Sequence, residues 1–217
     1  MFLDPGADYS NDGGYLTADF PVDFSTGDYT LDMWVWFPAG TLTNDSTRVK
    51  LFQLGGSQAA TAEYAQLFLD SSATLSNLLW WQGNIIGSPD YNLVVSSFSN
   101  TLVPRETWTL LSFERDGNTR NFYINGDHTK TDTGGVFRPS IGSFYLGNYE
   151  TDSSSAEFSG YIDNVRLSTT ARYSGSDFTV PTSAYTSDSD TLVLLPFDGS
   201  NNSTNITGTV NNIPSGS

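Results

Sequence analysis

The most constraining stretch of this chain runs from Trp108 to Lys130, where short alternating runs are separated by Asp116-Gly117 and Asn125-Gly126. Asp-Gly and Asn-Gly suit turn positions that need φ > 0, and two-residue primed turns match the twist of the strands they join. The stretch is therefore predicted to form three consecutive antiparallel strands: one ending at Arg115, one from Arg120 to Ile124, and a polar return. Side chains alternate across a strand, so Thr109, Leu111, Phe113 and Arg115 share one face and Trp108, Leu110, Ser112 and Glu114 the other. Neither face is wholly polar, as expected of a strand inside a two-layer sandwich.

The remainder follows the same pattern. Strands are expected at Met1 to Leu3, Tyr15 to Phe20, Tyr29 to Phe37, Val49 to Leu54, Tyr64 to Leu69, Leu75 to Trp81 and Tyr91 to Phe98. Past the central three, Ser143 to Leu146, Gly160 to Ser168 and Leu192 to Phe197 read as strands. In the strongest early strand, Tyr29, Leu31, Met33, Val35 and Phe37 alternate with Thr30, Asp32, Trp34 and Trp36. From Gly160, strict alternation sets Tyr161, Asp163, Val165 and Leu167 against Ile162, Asn164 and Arg166. Thr169 to Tyr173 is expected to form one helical turn, and no longer helix is predicted. Turn signals at this spacing mark an all-β sandwich. At 217 residues the chain suits one domain, because such sandwiches run to roughly 200 to 250 residues. That domain is expected over residues 1–199, with the Asn, Ser, Thr and Gly-rich residues 200–217 as a polar tail or a terminal strand.

Charge narrows the partners. The net charge is -15, so phosphate backbones and anionic lipid are repelled, and neither nucleic acid nor a membrane surface is an expected partner. With no cysteine, the chain has no disulfide framework, thiolate catalysis or sulfur-ligated zinc. The start, Met1 to Gly6, has neither a basic region nor a sustained apolar run, so no signal peptide is expected.

Several positions together resemble one family. Tyr29 to Val35 resembles the tryptophan-bearing strand of concanavalin A-like, laminin G-type jelly rolls, and Trp108 to Gly126 is similar to their Trp-to-Gly hairpin. Gly160 to Ser168 resembles their Asp- and Arg-bearing strand, Ala171-Arg172-Tyr173 with Phe178 and Pro181 the segment after it, and Leu192 to Gly199 the closing strand. The resemblance implies an all-β, concanavalin A-like jelly-roll sandwich of two antiparallel sheets, about six or seven strands each, with the first and last strands adjacent. The Ala-Arg-Tyr and closing Phe-Asp-Gly stretches look most like jelly rolls of bacteriophage structural proteins. That likeness implies a capsid decoration, fibre or appendage subunit on the virion surface, partnered by other virion proteins or its own copies and touching host glycans. The alternative is a free-standing carbohydrate-binding or adhesion module.

Hydrolases of this fold carry an alternating Glu, Asp, Glu array on one strand. The five glutamates here, Glu63, Glu106, Glu114, Glu150 and Glu157, form no such array, and the single histidine, His128, is expected in a surface turn. No catalytic residue is therefore expected. Sugar recognition wants an aromatic platform beside fixed hydrogen-bonding groups, and Trp80, Trp81, Gln82, Asn84 and Tyr91 cluster within one strand-turn-strand unit. Only one of Trp80 and Trp81 can face outward. Adjacent terminal strands would bring Asp4 and Asp198 together as candidate ligands for Ca²⁺, which takes about six to eight oxygens. Asp163 is expected to cap a turn or to pair with Arg166.

Overall fold

The computed structural model describes residues 2–3, 15–20, 27–38, 48–55, 64–70, 78–83, 97–133, 142–147, 160–198 and 208–210. They hold fourteen strands: β1 (Phe2–Leu3), β2 (Tyr15–Phe20), β3 (Tyr29–Trp36), β4 (Arg48–Gly55), β5 (Tyr64–Asp70), β6 (Leu78–Gly83), β7 (Ser97–Leu102), β8 (Thr109–Asp116), β9 (Thr119–Ile124), β10 (Asp127–Thr133), β11 (Gly142–Gly147), β12 (Gly160–Ser168), β13 (Thr191–Leu195) and β14 (Thr209–Val210). No helix occurs among the described residues. Every pairing is antiparallel. One sheet has eight strands, in the order β10-β9-β8-β3-β12-β13-β14 with β1 also on β12, and the other has six, in the order β2-β11-β4-β5-β6-β7.

The core lies between the sheets and follows the alternation of β3. Tyr29, Leu31, Met33, Val35 and Phe37 are at most 1% exposed. They meet Leu111 and Phe113 of β8, Phe122 and Ile124 of β9, and Leu51, Phe52, Phe144 and Leu146 from the opposing sheet. Phe113 packs edge-on against Phe122 at 5.1 Å, and Phe52 against Phe144 at 5.2 Å. Burying each such side chain contributes about 1.5–3 kcal/mol.

Strict alternation fails in β12. A register shift between Asp163 and Arg166 coincides with Asn164 at φ 49°, and Asn tolerates that left-handed region better than most residues. The bulge exchanges the faces of the strand. Ile162, Val165 and Leu167 all enter the core, whereas Tyr161 and Asp163 share the outer face with Arg166. Asp163 does not pair with Arg166: its carboxylate accepts the Asn164 backbone N–H at 2.9 Å, and Arg166 turns to Asp32 instead.

Residues 169–190 cross the outer face of the larger sheet as a strap. The Tyr173 amide reaches Glu114 of β8, the Gly175 amide reaches Tyr123 of β9, and the Phe178 amide reaches the Gly126 carbonyl in the β9–β10 turn. The strap returns by Tyr185, whose amide donates to the Asn164 side chain. Under it lies a second apolar cluster of Leu110, Tyr185 and Leu194, with Trp34, Phe178 and Val180 against it. That cover explains why neither face of β8 is polar. The expected helical turn at Thr169 to Tyr173 does not form, because these residues spend their polar groups on the sheet below.

Other expectations shift. The first central turn is Gly117-Asn118, since Asp116 pairs with Thr119, and positive φ falls on Gly117, at 58°, but not on Asp116. The Asn125-Gly126 turn stands as read, with φ 52° and 82°. The sheets divide eight and six rather than evenly. The terminal strands do not pair with each other, because β1 joins β12 and β14 joins β13. His128 belongs to β10 rather than to a turn. β6 continues past Trp81 to Gly83 and β7 spans Ser97–Leu102, while residues 75–77 and 91–96 of the two expected strands lie outside the described residues.

The two turn glycines differ in surroundings. A Cβ on Gly126 would strike the Phe178 carbonyl oxygen, whereas one on Gly117 meets open space. Gly117→Ala is expected to cost about 1 kcal/mol, the strain of a non-glycine at positive φ. Gly126→Ala is expected to cost more than about 3 kcal/mol, because the strap must move as well. Urea unfolding midpoints check this, and equal losses would contradict the packing of the strap on the turn.

Candidate functional site

Two carboxylates lie wholly buried on the outer face of the larger sheet, which makes them the first place to look for chemistry. Asp32 is 0% exposed. Its Oδ2 accepts from Arg166 Nε at 3.0 Å and Nη2 at 2.6 Å, and its Oδ1 accepts from Ser112 Oγ at 2.7 Å and Tyr173 Oη at 2.8 Å. The Arg166 guanidinium also lies 3.9 Å over the Tyr185 ring. Glu114 Oε1 accepts from Asn121 Nδ2 at 3.1 Å and Tyr123 Oη at 3.0 Å, and Oε2 from the Tyr173 amide at 2.6 Å. Every carboxylate oxygen is engaged and the strap covers both groups. The arrangement locks the strap to the sheet.

A smaller lock closes the strap's far end. Arg172 forks onto Asp188 at 3.0 and 2.8 Å and donates from Nε to Ser168 Oγ at 2.6 Å. Hydrogen bonds from Arg172 and Thr191 hold the Asp188 carboxyl well below the usual range. His128, half-buried, lies 2.9 Å from the Thr131 hydroxyl and its ring centroid 5.3 Å from that of Tyr123.

Of the candidate ligand-binding residues, Trp80, Trp81 and Gln82 fall on β6, while Asn84 and Tyr91 lie outside the described residues. Trp81 pairs with Leu67, which pairs with Phe52, a core residue, so Trp81 holds a core-side position. Trp80 holds the opposite position, cross-strand from Phe68 and Phe98. One step along that outer face runs a polar row: Gln82, Gln66, Gln53, Tyr145 and Thr17 are successive cross-strand partners from β6 to β2. Gln53, fully buried, anchors the middle of the row.

Asp4 lies outside the described residues, and Asp198 is exposed. Burial pushes the Asp163 carboxyl up and Asp198 adds to that, while the amino terminus and the Asn164 amide oppose it. No group of three or more His, Cys, Asp or Glu fit to hold a metal ion occurs among the described residues.

Sequence reading missed a third place. Trp36 and Tyr161 are cross-strand partners on the outer face of the larger sheet, centroids 5.4 Å apart and planes at 75°. Trp108 stands 6.4 Å from Tyr161 at 61°. Trp108 and Tyr161, 44% and 40% exposed, are the exposed large hydrophobics among the described residues. The bulge hid this corner, because uninterrupted alternation groups Tyr161 with the core residues Val165 and Leu167.

Two facing antiparallel sheets with a locked strap and surface aromatics define a lectin-like β-sandwich. A family model described as the concanavalin A-like lectin/glucanases superfamily matches residues 10–175, and the chain belongs to that superfamily. No curated protein matches the sequence. Among solved structures, a putative carbohydrate binding protein from Bacteroides ovatus is similar with a TM-score of 0.60 at 14% identity, over 90% of this chain and 57% of that one. The binding domain of botulinum neurotoxin serotype D has a TM-score of 0.56 at 8% identity, over 79% of this chain and 38% of that one. The LG1-3 region of the laminin alpha2 chain has a TM-score of 0.53 at 14% identity, over 82% and 31%. This chain thus spans less than two thirds of each, and at these identities the likeness is one of fold.

Breaking the central ion pair from one side is expected to be costly. Asp32→Asn or Arg166→Met should each destabilise by about 3–5 kcal/mol, and the double variant by clearly less than the sum. Additive losses in chemical denaturation would show that the two charges do not depend on each other.

Alkaline pH offers a second check. Burial raises the phenol pKa of Tyr29, Tyr123, Tyr173 and Tyr185, with Glu114 adding at Tyr123 and Asp32 at Tyr173 and Tyr185. A raised phenol holds its proton more tightly in the folded state, so this stability is complete below about pH 10 and drains away above it. The last phenolate absorbance should therefore appear together with loss of the near-ultraviolet dichroism. Full ionisation of all tyrosines in a still-folded chain would refute this.

Proposed function

We propose that this chain is a carbohydrate-binding or adhesion module whose ligand face is the outer side of the six-stranded sheet around Trp80 and Gln82. The observation that carries the reading is the register. It sets Trp80 in line with Phe68 and Phe98 and beside Gln82 and Gln66, on the face away from the core. Aromatic ring faces take up the C–H surface of a sugar, and side-chain amides supply directional hydrogen bonds to its hydroxyls. A pleated sheet spaces both at fixed intervals. Membership of a lectin-bearing superfamily and the likeness to a putative carbohydrate binding protein support the same reading. A net charge of -15 favours neutral or cationic glycans over sulfated ones.

A second reading concerns where the module is displayed. The resemblance of Ala171-Arg172-Tyr173 and of the closing Leu192 to Gly199 stretch to phage structural jelly rolls supports a virion-surface subunit, held by contacts with other virion proteins or its own copies. The two readings are compatible, since a displayed subunit can carry a glycan face. Stoichiometric recovery of the chain from purified particles by mass spectrometry checks the second one alone.

The glycan reading is tested on a glycan array with the full chain and single alanine variants. Trp80→Ala is expected to lose at least about 1–2 kcal/mol of binding, roughly tenfold in affinity, with Gln82→Ala weaker but folded. Trp81→Ala is expected to destabilise the core by about 3–5 kcal/mol instead. Array binding that survives Trp80→Ala unchanged would remove this face from consideration.

A further inference from the structure

We propose that the corner formed by Trp36, Tyr161 and Trp108 is a docking notch for a protein partner that inserts an arginine or lysine side chain. The notch goes beyond the glycan reading and uses the other side of the sandwich: it lies on the outer face of the eight-stranded sheet, whereas Trp80 belongs to the six-stranded one.

The ring geometry argues for an inserted side chain. Sugar rings stack on flat platforms, but here the Trp36 and Trp108 planes are inclined at 75° and 61° to Tyr161. The rings meet edge to face, and the ring surface that Trp108 and Tyr161 leave exposed attracts a slender cation through its quadrupole. Tryptophan, tyrosine and arginine are also the residues that dominate binding energy at protein interfaces. The strap crosses β3, β8 and β9 through contacts to Asp32, Glu114 and Tyr123, and leaves Trp108 and Tyr161 substantially exposed.

The charges around the corner point the same way. Asp163 shares the face of β12 with Tyr161, two residues on, and Asp198 lies within electrostatic reach of it. On the other side, the Glu106 amide donates to the Phe37 carbonyl at 2.8 Å, one residue beyond Trp36, and the Glu106 side chain is exposed. Glu106 is held at φ 55°, a strained conformation that persists only where its surroundings enforce it. Against these three carboxylates stands Arg105, so the rim is acidic, and the chain as a whole carries -15. A second copy of this chain would bring the same charge and be repelled.

The test titrates the full chain with a capped tetra-arginine peptide, followed by the indole N–H resonances, and uses a tetra-serine peptide as blank. Trp108→Ala and Tyr161→Ala are compared with Asp190→Asn, which removes an exposed carboxylate of the strap away from the notch. Saturable arginine binding that shifts the Trp108 indole is expected. It should weaken roughly tenfold in each ring variant and stay near the parent value in Asp190→Asn. Dichroism confirms that the ring variants stay folded. Equal binding by all variants would reduce the effect to diffuse attraction by an acidic protein and overturn the proposal. So would a change of oligomeric state on Trp108→Ala, which would make the corner a self-interface. Loss of glycan binding with unaltered peptide binding in Trp108→Ala would also overturn it, by making the corner a sugar site. Failure of Trp80→Ala on the array leaves this result untouched.

Discussion

Asp32 and Arg166 meet beneath the strap, and the strap can lie where it does only because they do. Removing two charges from water costs several kcal/mol for each ion, which their attraction offsets only when further hydrogen bonds complete both groups. Ser112 from β8 and Tyr173 from the strap complete the carboxylate, and the Tyr185 ring covers the guanidinium. Three strands and a loop thus become conditions of one another. Glu114 repeats the arrangement on a smaller scale, binding the strap's backbone at Tyr173 and the β9 side chains Asn121 and Tyr123.

That lock also shapes what the molecule has left for recognition. The larger sheet spends the middle of its outer face on holding the strap, and its buried carboxylates are consumed by structure. What remains on that side is the aromatic corner at the Trp36 end of β3. On the six-stranded sheet Trp80 is in register with Phe68 and Phe98, and Gln82 with Gln66. The two proposed recognition faces do not compete for the same residues.

Much of the fold was legible because alternation is a local property. β2, β12 and the Asn125-Gly126 turn were placed to the residue, and the inner face of β3 was named in full. The misreading of β12 has one physical source. At Asn164 a single extra residue swaps the faces of β12, and the swap moves Tyr161 to the surface and aligns Arg166 with Asp32. Alternation cannot report a bulge, although an Asn within a β-strand is a weak signal for one. The candidate site was half legible: the Trp80-Trp81 pair stood out, but its register with Leu67 and Phe52 follows only from the ladder.

The sequence by itself determined an all-β sandwich, its turn chemistry, and a net charge of -15, because each follows from residues near one another or from composition. Tertiary structure alone decided which carboxylates are locked away and that Trp36, Tyr161 and Trp108 share a corner. Asp32 and Arg166 are 134 residues apart, and no local pattern encodes their meeting. It depends on the order and register of strands, which are set only when the whole core closes.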